Sequence, residues 1–290
     1  MRGYFHMKTA LLALMALFIG FTGSVLAAPE PPQKITAAEV LARLTPHLKV
    51  NKPNGSGPFK TVLVFHGAKR GPAWDERYQI LMNQFTKLGY ASVFVDMFTG
   101  RGDTNGSKVF SGKILPTQTA SDVMVLSAWV KDKAWVDKNN IAAVGYSWGA
   151  ATLMDALTLS KDGRTPQGIL DRPKNGANYL RSVVLIAPWC KRDMYGLQFV
   201  ASTHKEFGAK VPVLAILPEA DDVSDISLCK KILRRNIDVG HTVQTVLLEG
   251  AEHRFYFKWT VGGSYEEQYD QEMANLAKNK VNSFLKSHWK

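Results

Sequence analysis

Six short apolar, β-prone runs recur along the chain, and stretches with helical periodicity separate them. The runs are Thr61–Phe65, Ala91–Val95, Ile141–Val144, Ser182–Ala187, Val211–Leu217 and Val243–Leu248. A strand facing water on one side alternates apolar with polar residues, whereas Thr61–Phe65 and Ala91–Val95 are nearly continuous, the pattern of strands buried on both faces. Helices are read at 36–48 (with Val40, Leu41, Leu44 and Leu48 on one face), 75–88, 118–132, 149–159, 197–206, 225–236 and 264–287. The last would start at Ser264, with Glu267 in capping-box spacing, and bury Tyr269, Met273, Leu276 and Phe284. Strands alternating with helices predict parallel βαβ units with right-handed crossovers. The fold expected is therefore a single α/β domain over 60–290, a mostly parallel sheet with helices on both faces. Residues 28–59 read as a helical segment followed by a turn-rich connector, Asn51 to Pro58.

The start of the chain has a different character. Arg2 and Lys8 precede an uncharged apolar run from Ala10 to Phe21, and small residues follow up to Ala27-Ala28. This is the layout of a secretory signal peptide, residues 1–27, and the run is short for a membrane span. Met7-Lys8 would begin an equally good signal. A periplasmic or secreted protein is expected, with no stable membrane span after cleavage. Export would place Cys190 and Cys229, the two cysteines, in an oxidising compartment. Cys190 follows the strand ending at Ala187 and Cys229 lies on the helix after the next strand, so a Cys190–Cys229 disulfide is predicted. Closing that loop contributes roughly 3–4 kcal/mol by chain entropy.

Composition removes several classes. At 46% apolar and 21% charged, the chain can bury a core and is not a disordered polymer. The net charge of +11 raises nucleic acid as a partner, but the Lys and Arg are dispersed, without a basic arm or zinc finger, so no nucleic-acid partner is expected. Lys230, Lys231, Arg234 and Arg235 suit the solvated side of one helix.

Directly after the third strand stands Gly145-Tyr146-Ser147-Trp148-Gly149, followed by Ala150-Ala151. Gly-x-Ser-x-Gly acquires meaning between a strand and a helix, where a tight turn lifts the serine hydroxyl out at the sheet edge. Ser147 is the candidate nucleophile. A serine needs a base oriented by an acid, and in this architecture the order is Ser, acid, His. Glu219-Ala220-Asp221-Asp222 follows the fifth strand, and Glu249-Gly250-Ala251-Glu252-His253 follows the sixth. His253 is the candidate base; His47 and His204 fall in expected helices, and His241 precedes its strand. Asp221, Asp222 and Asp225 compete as the acid, with Asp225 placed to cap the next helix. The Trp148 amide and the Ala68 amide, in the turn His66-Gly67-Ala68, are the expected oxyanion donors. His66 reads as a structural turn residue.

Taken in order, Phe65-His66-Gly67, Gly89-Tyr90-Ala91 leading to Val95-Asp96, the Ser147 motif, Glu219-Ala220-Asp221 and Ala251-Glu252-His253-Arg254-Phe255 resemble the dienelactone hydrolase family of the α/β-hydrolase superfamily. The resemblance runs from about Lys60 to the C-terminal helix. It implies Asp221 as the acid and a sheet lacking the first two superfamily strands. Its founding enzymes carry a cysteine nucleophile where this chain has Ser147, which points away from dienelactone and toward an ordinary carboxylic ester. The segment Asp96 to Gly102 is similar to a family loop whose arginine faces the site, which implies that Arg101 binds anionic substrates; the competing reading pairs Arg101 with Asp96 or Asp103. The expected activity is hydrolysis of a small-molecule ester, possible amide cleavage being the alternative within enzymes and a non-catalytic envelope binding protein the alternative outside them. No metal or organic cofactor is called for, since the chain has no HExxH, CxxC or phosphate-binding glycine loop.

Overall fold

One seven-stranded sheet organises the protein, in the order β1-β3-β2-β4-β5-β8-β9. Its strands are β1 (Lys49–Asn51), β2 (Phe59–Phe65), β3 (Ala91–Val95), β4 (Val136–Tyr146), β5 (Ser182–Ile186), β8 (Val213–Pro218) and β9 (Val243–Leu248). β6 (Asp193–Met194) and β7 (Leu197–Gln198) form a separate two-stranded ribbon. The helices are α1 (Ala37–Leu44), α2 (Pro72–Lys87), α3 (Ser107–Phe110), α4 (Pro116–Lys131), α5 (Trp148–Lys161), α6 (Ile226–Asp238) and α7 (Gln271–His288). The structure, a computed structural model, describes residues 34–69, 72–173, 175–191, 193–194, 197–198, 206–207, 211–258 and 268–290. All of them lie in one compact unit. Among the described residues no helix is long and apolar enough to cross a membrane. The expected signal peptide, residues 1–27, lies outside them.

β2, β3, β4, β5, β8 and β9 are mutually parallel. Side chains alternate across the sheet, so the central strands feed two cores, whereas β9, at the sheet edge, has Leu248 as its one fully buried residue. Leu63, Phe65, Val93 and Val95 join α1, α4, α5 and α6, whereas Val62, Val64 and Phe94 join α2 and α7. Burial on both faces is the physical reason for the uninterrupted apolar runs. It also leaves the carboxyl ends of the strands as the one edge where loops from several units meet, the usual place for a site in an open parallel sheet.

Several elements differ from expectation. β1 follows directly on the expected first helix, takes in only Asn51 of the expected connector, and pairs antiparallel with β3, Lys49 opposite Phe94. β4 starts five residues early, at Val136, with its register to β2 broken between Phe59 and Thr61. α7 begins at Gln271 with Asp270 as its cap, accepting from the Met273 amide, while Ser264 and Glu267 lie outside the described residues. Its buried stripe is Ala274, Ala277, Val281, Phe284 and Leu285, and Leu276 is 39% exposed. The helix expected at 197–206 is replaced at its start by β7, and residues 199–205 lie outside the described residues.

Cys190 and Cys229 are joined by a disulfide that closes 39 residues. It ties the loop after β5 to α6, beside hydrogen bonds from Cys190 N–H to Ser224 Oγ and from Asp225 N–H to the Cys190 carbonyl. Replacing both cysteines by serine is expected to cost about 3–4 kcal/mol, lowering the melting temperature on the order of 10 °C. Calorimetry of the double variant checks this, and a drop of only a degree or two would mean the surrounding hydrogen bonds hold the loop unaided.

Candidate active site

β4 runs directly into α5 through one residue, Ser147, whose backbone is held at φ 52° and ψ −112°. That region disfavours any side chain, and the neighbours over-determine it. The Ser147 N–H donates to the Ile186 carbonyl at 2.9 Å. The flanking glycines are demanded by crowding. A Cβ at Gly145 would sit 2.6 Å from the Ala150 nitrogen, and one at Gly149 would sit 2.3 Å from the Phe65 carbonyl oxygen. The turn therefore raises the Ser147 hydroxyl at the carboxyl edge of the sheet, at the start of a buried helix.

Two further loops reach the same point. The loop after β9 carries His253, whose Nε2 lies 2.8 Å from Ser147 Oγ. The loop after β8 carries Asp221, whose Oδ2 lies 2.7 Å from His253 Nδ1. A carboxylate can only accept, so the geometry assigns the ring proton to Nδ1 and leaves Nε2 to accept from the serine. The other oxygen of Asp221 accepts from the Val223 and Ser224 amides at 2.8 and 2.7 Å, which fixes the carboxylate. The rival acids are occupied elsewhere. Asp222 meets Arg254 and Gln268, each at 3.2 Å. Burial alone would raise its carboxyl, but the Gln268 hydrogen bond and the Arg254 charge outweigh that and hold it below the usual range. Asp225 caps α6 by accepting from the Leu228 amide.

Among the described residues neither the Trp148 nor the Ala68 amide donates a hydrogen bond. The Trp148 amide opens α5, where first-turn N–H groups lack helical acceptors. The Gly67 amide is not available, since it donates to Tyr78 Oη at 2.8 Å. His66 is spent on its own turn: Nδ1 lies 2.6 Å from the Gly67 carbonyl and Nε2 accepts from the Met97 amide at 3.0 Å. Of the other histidines, His47 ends a 3-10 turn after α1, and His204 lies outside the described residues.

Tyr146 is the residue that sequence reasoning passed over. Its hydroxyl donates to the His253 carbonyl at 2.8 Å, fastening the histidine loop to the strand that carries Ser147. Burial holds the phenol well above its ordinary pKa, so it stays a donor. Position x of Gly-x-Ser-x-Gly offers no signal for this role. Two small hollows meet at Ser147 and share Ala68, Phe110 and Val223. One, about 70 Å³, adds Lys69, Tyr146, His253 and Arg254; the other, about 50 Å³, adds Val109, Trp148 and Trp189 and is apolar.

Arg101 lines neither hollow. Its guanidinium grips Asp122 of α4 through two hydrogen bonds, at 2.6 and 2.9 Å, and also donates to the carbonyls of Met97 and Gln118. The expected substrate contact is thus replaced by an internal one. The alternative partners fail as well, because Asp96 and Asp103 turn to backbone amides of their own loop. Replacing Arg101 by alanine leaves the fully buried Asp122 with the 3.4 Å contact to Arg43 and the 3.3 Å hydrogen bond from Ser121 Oγ. The expected loss is about 3 kcal/mol of stability, with the ratio of rates on anionic and neutral esters unchanged. Melting curves and paired ester assays check this; a selective loss on anionic esters would return Arg101 to the substrate.

The sequence model of the X-Pro dipeptidyl-peptidase (S15) family matches residues 43–165. No curated protein matches the chain. Among solved structures, a protein assigned as a dienelactone hydrolase from Klebsiella pneumoniae subsp. pneumoniae is similar over 82% of this chain and 91% of its own, at 14% identity and a TM-score of 0.61. Thermogutta terrifontis esterase 2 phosphonylated by cyclosarin is similar over 82% and 88%, at 17% identity and a TM-score of 0.60. The propionate-bound form of that esterase matches at 16% identity and a TM-score of 0.59, over 82% and 89%. At such identities the likeness is one of fold.

Proposed function

We propose that this chain, which has the α/β-hydrolase fold, is an exported serine hydrolase that cleaves carboxylic esters of small or accessible substrates. The observation that carries the reading is the unbroken chain Ser147–His253–Asp221, with contacts of 2.8 and 2.7 Å. Ser147 Oγ attacks the acyl carbon while His253 Nε2 takes the hydroxyl proton, and Asp221 stabilises the imidazolium through Nδ1–H. In this reading the charge that develops on the carbonyl oxygen is stabilised by the Trp148 and Ala68 amides. The tetrahedral adduct collapses as its bond to the alkoxy oxygen breaks, and His253 returns the proton to that oxygen. An alcohol leaves and an acyl-Ser147 remains. Water, deprotonated by His253 in turn, attacks the acyl carbon and releases the carboxylic acid and free Ser147.

The hollows beside Ser147, about 70 and about 50 Å³, favour a short acyl group on the Val109–Trp148–Trp189 side. Solved forms of the similar Thermogutta esterase hold propionate and butyrate, which agrees with that size. Export rests on the character of residues 1–27 and agrees with the disulfide. The match to X-Pro dipeptidyl-peptidases favours a second reading, cleavage of a peptide amide by the same three residues. A fluorophosphonate probe should label the protein at Ser147. Failure to label would overturn the hydrolase reading altogether. Rates on p-nitrophenyl acetate, butyrate and octanoate, compared with X-Pro p-nitroanilides, then decide between ester and amide: short esters are expected to be fastest, and faster amides would assign a peptidase.

A further inference from the structure

A cleft of about 330 Å³ opens between α1, the Thr99–Arg101 turn, α3 and the start of α4. It shares no lining residue with the hollows at Ser147 and is larger than both together. Its volume falls at the lower end of the ~300–1,000 Å³ usual for small-molecule sites. Four cationic side chains line it, Arg43, Arg101, Lys108 and Lys113, and no acidic one does. The carboxylate that both guanidiniums meet, Asp122, is fully buried and already saturated: Arg101 takes both oxygens, Arg43 reaches one at 3.4 Å, and Ser121 Oγ lies at 3.3 Å. Asp103, the nearest acid along the α3 loop, holds the Gly106 and Lys108 amides at 2.8 and 2.9 Å.

One carboxylate facing two guanidiniums leaves positive charge uncompensated, and the two lysines add to it. Lys108 Nζ donates to the Arg101 carbonyl at 2.7 Å and forms no ion pair with an acid among the described residues. Arg43 spends only Nη2 on Asp122, and its Nε is buried without a hydrogen-bond partner. The Lys113 ammonium has no partner among the described residues. Burial, and then the nearby Arg101 charge, push the Arg43 guanidinium below its ordinary value, in keeping with that crowding. Buried donors left unpaired and like charges held together are both costly, and an anion in the cleft would relieve both.

We propose that this cleft is a second binding site, separate from Ser147, which takes a small multivalent oxyanion bearing phosphoryl or carboxylate groups. Guanidinium N–H groups and lysine ammonium groups lining one cleft suit the several oxygens of such an ion. Calorimetric titration of the whole protein with inorganic pyrophosphate in one arm and citrate in the other tests it, with sodium chloride of matched ionic strength as the control. Saturable one-to-one binding below about 1 mM is expected, about 4 kcal/mol or more of affinity, and the tighter arm identifies the group as phosphoryl or carboxylate. Lys113→Glu should weaken it more than tenfold while leaving hydrolysis of a neutral ester unchanged. Arg43→Gln should weaken it similarly; if that variant fails to fold, Lys113→Glu decides alone. No saturable heat in either arm, equal displacement by chloride, or an affinity in Lys113→Glu within twofold of the parent would each overturn the site.

Discussion

Ser147→Ala is expected to lower kcat by roughly 10⁵–10⁶-fold, the scale on which a serine nucleophile is lost. The side chain contributes one hydrogen bond, to His253 Nε2, and alanine can occupy the same turn because its Cβ already stands there. Stability should therefore move by less than about 1 kcal/mol, in line with the net worth of a single hydrogen bond. Steady-state rates on a neutral p-nitrophenyl ester, read beside a melting curve, test both halves of the expectation. Turnover retained at parental level in a folded Ser147→Ala protein would remove the proposed nucleophile.

Asp221→Asn should be nearly as damaging, with kcat down on the order of 10⁴-fold, whereas Asp222→Asn should stay within about threefold of the parent. The asymmetry follows from where the amide would have to point. One oxygen of Asp221 accepts from the Val223 and Ser224 amides, so the carbonyl of an introduced carboxamide would settle there and turn its NH₂ toward His253. Two donors would then face each other, and the imidazole would move its proton to Nε2, where it could no longer receive one from Ser147. Asp222 makes only outward contacts with Arg254 and Gln268, so its replacement disturbs neither ring nitrogen. Equal losses in the two variants would place the acid elsewhere in the loop.

How much of this was legible depended on what each residue touches. β2, β3 and β5 announced themselves because burial on two faces leaves no room for polar residues, and the run of side chains is the fold's own imprint. β1 was hidden for the opposite reason. Three residues, Lys49-Val50-Asn51, lie at the sheet edge with Lys49 and Val50 exposed, and they need only backbone hydrogen bonds to pair. The early part of β4, from Asp137 through Asn140, is polar and partly exposed, so periodicity gives it no voice. In the site, Ser147, Asp221 and His253 were readable because each must follow a particular strand. Tyr146 acts through a backbone carbonyl contributed 107 residues later, and Arg101 is claimed by Asp122 on the next long helix. Neither partnership has any periodic trace in the chain, so only the folded arrangement discloses it.

Backbone geometry at Ser147 sets the chemistry against the endurance of the molecule. Its φ of 52° lies where glycine would rest more easily, and a non-glycine residue there costs roughly 1–3 kcal/mol. Ser147→Gly should accordingly melt no lower than Ser147→Ala, despite glycine's greater freedom when unfolded, and thermal unfolding of the two variants side by side reads the difference. A serine at this position is what the proposed nucleophile requires, and the strain of the turn is the stability the molecule gives up to hold it.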